Sequence, residues 1–145
     1  MPNFENTVKV FKEIHPQFIL LFQFGNFYRA YGRDSLILAY IFGYQLNEVQ
    51  NMKTCGFPKA ALNKVMTQLE ENSISYIILN KCDQYAEEHK ENFKSKNKYM
   101  SIYEKAKKYL SIKNRIEKIH KNLIENIDKE EVKEKIKKIE EVLYG

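Results

Sequence analysis

Residues Phe18-Ile-Leu-Leu-Phe-Gln-Phe24 form a near-continuous apolar run of strand length that Gly25 closes. A run of this length and composition reads as a strand buried in the middle of a sheet, which needs covering layers. Aromatic residues gather around it: eleven of the nineteen Phe and Tyr fall between Phe4 and Tyr44, so the N-terminal half supplies most of the core.

The flanking segments are read by periodicity. Asn3 to Ile14 carries Phe4, Val8 and Phe11 at helical spacing, with Asn3 or Asn6 as cap and Pro16 as terminator. Asn26 is expected to cap a helix running to Phe42, with Phe27, Tyr31, Leu38, Ile41 and Phe42 facing the sheet and Gly43 stopping it. Tyr44 to Val49 and Met52 to Phe57 read as strands joined at Gln50-Asn51. Pro58 opens a helix through Leu69, and Ile74 to Leu79 is expected to be the last buried strand.

The pattern changes after Tyr85. From Tyr99 the positions Ile102, Ala106, Tyr109, Lys113, Ile116, His120, Leu123 and Ile127 recur in steps of three and four, as in one long amphipathic helix. Asp128, with Glu131 three residues on, is expected to cap a second helix bearing Val132, Ile136, Ile139 and Leu143. The expected fold is α/β, a mixed sheet with packed helices over residues 1–90, followed by a basic helical hairpin or coiled-coil arm over residues 91–145. The arm's apolar stripe requires a partner: its own second helix, the α/β domain or another subunit, so a homo-oligomer is one expectation.

With 145 residues, 43% hydrophobic and 30% charged, the chain suits one domain with an appendage. No apolar stretch approaches the ~18 residues of a membrane span, and the polar start does not resemble a signal peptide, so a soluble cytoplasmic protein is expected. Cys55 and Cys82 lack the spacing of a disulfide framework or a zinc site and are expected to be buried thiols. His15, His89 and His120 are scattered, which gives no grounds for expecting a metal. Glu48 is the one acid on an expected strand and no Lys follows two residues later, so the nuclease pattern of acid-x-Lys is not expected. No Gly-x-x-x-x-Gly-Lys-Ser/Thr phosphate loop occurs, and no catalytic residue or cofactor is assigned.

The net charge of +5 lies entirely in residues 91–145, and Lys94 to Lys121 holds ten basic residues against Glu104 and Glu117. Such a segment suits a nucleic acid or acidic partner, and equally a solvated helix face. Lys94, Lys96, Lys98, Lys105 and Lys108 are the candidate phosphate contacts.

One segment carries more specific information. Phe18 to Phe24, then Gly25-Asn26-Phe27-Tyr28-Arg29, then Tyr31 and Asp34, resembles the N-terminal mismatch-recognition domain of the DNA mismatch-repair protein MutS, with its apolar strand and Gly-Asp-Phe-Tyr-Glu-like sequence. Ile14-His15-Pro16, Thr54-Cys55-Gly56-Phe57-Pro58 and the stretch Lys59 to Leu79 follow in the family's order, so the resemblance covers about residues 4–85. It implies that Phe27 stands where the family's aromatic residue wedges into the minor groove and stacks on a mispaired base, a step where unstacking is cheapest. On the residues alone, Phe27 could equally be core.

Arg29 departs from the family, whose corresponding Glu hydrogen-bonds the displaced base and repels intact duplex. A cation there reverses the local field, which favours backbone or guanine edges and weakens discrimination against perfect duplex. Arg33 is a further candidate contact. The resemblance thus implies a non-catalytic module that binds DNA or RNA. The alternative is an accessory interaction protein of the kind encoded beside the reverse transcriptases of diversity-generating retroelements, with a reverse transcriptase and its template RNA as partners.

Overall fold

A computed structural model describes residues 4–81 and 84–145. The expected cap Asn3 and the thiol of Cys82 lie outside the described residues. The chain falls into two compact units, Met1–Lys108 and Tyr109–Gly145.

The first unit is a mixed sheet between helices. Its elements are α1 (Phe4–Ile14), β1 (Ile19–Phe24), β2 (Phe27–Tyr31), α2 (Arg33–Phe42), β3 (Asn47–Val49), β4 (Met52–Pro58), a 3-10 turn (Lys59–Ala61), α3 (Leu62–Glu71), β5 (Tyr76–Lys81) and β6 (Tyr85–Glu91). A second 3-10 turn (Lys94–Lys96) leads into α4 (Tyr99–Glu125), and α5 (Glu130–Tyr144) follows. The six strands lie in the order β3-β4-β2-β1-β5-β6, with β1 and β5 parallel and the other neighbours antiparallel. β1 is therefore interior, and its first four residues are fully buried, as the apolar run requires.

Each sheet face has its own cover. Under α1, Leu20, Phe22, Ile77 and Leu79 pack with Val8 and Tyr31, and the rings of Phe4 and Phe11 meet Phe22 edge-on. On the other face Ile19, Leu21, Tyr28, Phe57 and Ile78 pack with Ile37 and Leu38 of α2, Val65 and Leu69 of α3, and Tyr99 and Ile102 of α4. Because Tyr99, Ile102 and Ala106 are core residues, the first unit extends to Lys108, whereas the sequence suggested a boundary at residue 90.

Several expectations are corrected. Asn26 does not cap a helix: Gly25-Asn26 is a two-residue hairpin turn that pairs Phe24 with Phe27, and residues 27–31 form β2. Gly25 sits at φ 55°, a conformation glycine adopts without the Cβ penalty. Gly-Asn between aromatic segments is itself a hairpin signal, and it overrides the reading of Asn26 as a cap. Asn6 lies within α1 rather than capping it. Tyr44 to Val49 yields only the three-residue β3, and Pro58 both closes β4 and caps the 3-10 turn Lys59–Ala61, which leads directly into α3. Gln50 and Asn51 do form the tight turn, both at positive φ.

Ile74 to Leu79 is followed by one more strand, β6. Its Tyr-Ala-Glu-Glu-His-Lys-Glu sequence lacks apolar alternation because it is an edge strand, where charge is usual and burial slight. In the second unit the N-cap of α5 is Lys129, without a side-chain cap bond, so Asp128 and Glu131 do not form the expected capping box. No helix among the described residues is long and apolar enough to cross a membrane.

Candidate nucleic-acid interface

The hairpin β1-β2 determines where Phe27 points. In an antiparallel pair, residues directly opposite share a face, so Phe24 and Phe27, and likewise Phe22 and Arg29, lie on the side that α1 partly covers. Phe27 is not among the rings under α1 and stays 53% exposed, while its neighbour Tyr28 points the other way and is buried. The alternation exposed, buried, exposed, buried over residues 27–30 follows from the strand. The core reading of Phe27 is thereby answered: the ring is a surface feature.

Arg29 is exposed on the same face. Its guanidinium carbon lies 5.0 Å from the centre of the Phe24 ring. Burial pushes the Tyr31 hydroxyl above its ordinary pKa, and a hydrogen bond from Arg29 pulls it back. Arg29 is thus held over aromatic surface with its charge toward solvent. Opposite it in β4 stands Gly56, where a Cβ would come within 3.2 Å of the Tyr28 carbonyl oxygen and 3.4 Å of Arg29 Cγ. The missing side chain leaves the floor open in a shallow depression of about 410 Å³ lined by Phe27, Arg29, Asn47, Val49, Thr54, Cys55 and Gly56. None of the residues that β2, β3 and β4 place on this face is acidic.

Two cations that the sequence did not single out stand at the same end of the sheet. Lys59 follows Pro58, the partner of Phe27, and its amide N–H donates to the Asn26 carbonyl at 2.7 Å. Lys81 ends β5, parallel to β1, and lines a depression with Gln23, Phe24, Gly25 and Tyr85. Both are exposed. Only the strand order brings them near Phe27, so no local pattern could have marked them.

The remaining candidates lie elsewhere. Arg33, the first residue of α2, is half-buried, with its guanidinium carbon 5.5 Å from the Tyr103 ring centre and 5.9 Å from that of Tyr99, so it serves packing. Next to it, Asp34 is buried and receives hydrogen bonds from Lys12 Nζ at 2.5 Å, the Leu20 N–H at 3.0 Å and the Tyr99 hydroxyl at 2.6 Å. Lys94, Lys96 and Lys98 are exposed but sit at the opposite end of the sheet: the Lys98 N–H donates to the Ser73 carbonyl, and Asn97 reaches Gln17 before β1 and Ser75 before β5. The six-residue β1 separates the two ends by about 20 Å. Lys105 and Lys108 are exposed on α4, whose first turns cover the face away from Phe27.

The unforeseen β6 also revises the survey for metal and nuclease patterns. It adds Glu87, Glu88 and Glu91 to the strand acids, and Glu88-His89-Lys90 is an acid-x-Lys sequence. Asn80 donates to the Glu88 carboxylate. Among the described residues one cluster, Glu70, His89 and Glu91, brings three ligand atoms within 4.8 Å of one another, and Glu88 is not part of it. Glu70 also accepts from the Tyr76 hydroxyl at 2.7 Å.

The family model described as MutS domain I matches residues 2–105. Two similar proteins are the DNA mismatch repair protein MutS of Thermotoga petrophila, 33% identical over 86 residues, and that of Parabacteroides distasonis, 41% identical over 78 residues. These alignments cover 59% and 50% of this chain and 10% and 9% of the two relatives, so the chain spans about a tenth of their length.

Proposed function

The chain belongs to the MutS domain I family, and on that premise we propose that its exposed Phe27–Arg29 face binds nucleic acid as a non-catalytic recognition module. The observation that carries this reading is the exposed Phe27 ring on the face of β2, β3 and β4, which bears no acid, with Arg29 beside it and Lys59 and Lys81 at the same sheet end. An exposed aromatic offers a stacking surface to an unpaired or mispaired base, and flanking cations offer contacts to phosphate. That both relatives are DNA mismatch repair proteins supports DNA as the ligand.

Arg29 tempers selectivity. A carboxylate beside the wedge would repel an intact backbone, whereas a guanidinium attracts it. The module is therefore a duplex binder with a modest preference for sites where stacking is already weakened. Fluorescence anisotropy of the full chain with matched, mismatched and bulged duplexes tests this. Binding to all three, tightest for the mismatch or bulge, is expected; no binding to DNA or RNA at low salt would overturn the reading.

A further inference from the structure

The edge strand β6 carries a donor set that nucleic-acid binding does not use. In the antiparallel pair β5-β6, Glu91 stands opposite Tyr76 and His89 opposite Ile78. Residues directly opposite share a face, so both side chains lie on the side that α3 covers. The register shifts at this point: Leu79 is opposite Glu87, which leaves Glu88 as the extra residue of a β-bulge. In an unbroken strand His89 would share the face of Glu87 and Leu79, which lies under α1; the bulge turns it toward α3. From the last turn of α3, Glu70 reaches the same spot and accepts a 2.7 Å hydrogen bond from the Tyr76 hydroxyl. One imidazole nitrogen and two carboxylate oxygens thereby come within 4.8 Å of one another.

Two observations separate this cluster from acids that merely share a surface. His89 Nε2 is shut off from solvent and makes no hydrogen bond among the described residues, although it lies 3.4 Å from Oε1 of Glu91. A shielded ring nitrogen without a partner is costly, and an ion bound to its lone pair satisfies it. Neither carboxylate pairs with a lysine or arginine among the described residues, since Lys90 turns to the other face, its Nζ 5.2 Å from the centre of the Phe18 ring. The spacing also fits: around a tetrahedral ion with ligands at about 2.0–2.1 Å, neighbouring ligand atoms stand about 3.3 Å apart. His89 and Glu91 already have that separation, and rotation of the exposed Glu70 carboxylate closes the rest.

We propose that Glu70, His89 and Glu91 bind a divalent transition-metal ion, with zinc the best match to one nitrogen and two carboxylate oxygens. Magnesium and calcium prefer all-oxygen sets. The Tyr76 hydroxyl would orient Glu70 from outside the donor set, and three protein ligands leave a fourth position open. The site lies beside the start of β5, which pairs with the start of β1, so it is separate from Phe27 at the far end of the sheet.

Calorimetric titration of the chelator-treated, dialysed full chain with zinc chloride, and with magnesium chloride, tests the site. One equivalent of zinc should bind with a Kd of about 10 µM or tighter, raise the melting temperature as zinc is added, and resist displacement by millimolar magnesium. His89→Ala, and separately Glu70→Gln with Glu91→Gln, should each weaken that equivalent at least about tenfold. His15→Ala should leave it unchanged, although His15 Nε2 also stands 3.4 Å from a carboxylate, that of Glu87. Should His89→Ala lose its circular dichroism signal, Glu70→Gln alone, at an exposed helix end, carries the comparison. Absence of zinc binding below about 100 µM overturns the proposal. So does an affinity that the variants leave unchanged, one that depends on His15 rather than His89, or equal binding of magnesium.

Discussion

The Tyr99 hydroxyl at the start of α4 donates a 2.6 Å hydrogen bond to Oδ1 of Asp34 near the start of α2, the same oxygen that receives Lys12 Nζ from α1. Three helices from both sides of the sheet thus converge on one buried carboxylate, which also holds the backbone N–H of Leu20 in the central strand. Burial lowers the Lys12 pKa, with Asp34 opposing, and burial raises that of Tyr99. Removing a partner from such a group costs more than the bond it made, because the group left behind stays desolvated.

Tyr99→Phe is accordingly expected to destabilise the protein by about 1.5–3 kcal/mol, and Asp34→Ala, which strands Lys12, by about 3–5 kcal/mol. Urea denaturation followed by circular dichroism gives both values. A loss below about 0.5 kcal/mol for Asp34→Ala would show that the network does not hold these helices.

Alkaline pH tests the core around Cys55. Burial, helped by the charge of Asp34, pushes this thiol from 9.0 up to about 12. Below about pH 9 the folded and unfolded chains both keep the proton, so the contribution to stability is fully present. Between about 9 and 12 the unfolded chain releases a proton that the native protein retains, and stability falls as pH rises. The raised pKa values of Tyr76 and Tyr99, each pushed up first by burial, extend the fall above about pH 10. Cys55→Ala should make the decline between pH 9 and 10 shallower, measured as the change in urea midpoint.

Arg29→Glu is expected to weaken binding to a matched duplex more than to a mismatched one, because a carboxylate near phosphate is tolerated only where a displaced base can hydrogen-bond it. Anisotropy titrations of both duplexes supply the ratio. Equal losses would mean that Arg29 contacts backbone alone.

The cations at the Phe27 end of the sheet predict a salt dependence. If Arg29, Lys59 and Lys81 each neutralise one phosphate, log K against log salt should have a slope of about −2 to −3, and Lys59→Ala or Lys81→Ala should each flatten it by about 1. Lys94→Ala with Lys96→Ala, at the other end of β1, should leave the slope unchanged.

How far the residues disclose this architecture depends on what each element buries. The run from Phe18 to Phe24 was legible as an interior strand because both its faces meet core, and α1 through Phe4, Val8 and Phe11 because one face does. β2 reads as the first turn of a helix because Asn26 can serve as a cap and Phe27 and Tyr31 stand four residues apart, unless Gly25-Asn26 is recognised as a hairpin turn. β6 was missed because an edge strand rich in Glu and Lys has no apolar period to read. The identity of Phe27 as a candidate came from family resemblance, whereas Lys59 and Lys81 join it through strand order alone, which no local pattern encodes. The concentration of charge that begins at Lys94 does not mark this site: Lys94, Lys96 and Lys98 are exposed, but they stand at the opposite end of β1 from Phe27.

The central claim is that Phe27 is a surface ring that stacks on nucleic acid, and Phe27→Ala in the full chain tests it most directly when affinity and thermal stability are measured on the same preparation. The account predicts that binding to a mismatched duplex weakens by about 1–3 kcal/mol while the melting temperature stays nearly constant, since the ring is already half in solvent. Unchanged affinity, or a loss of stability of about 3 kcal/mol or more as for a core phenylalanine, would contradict it.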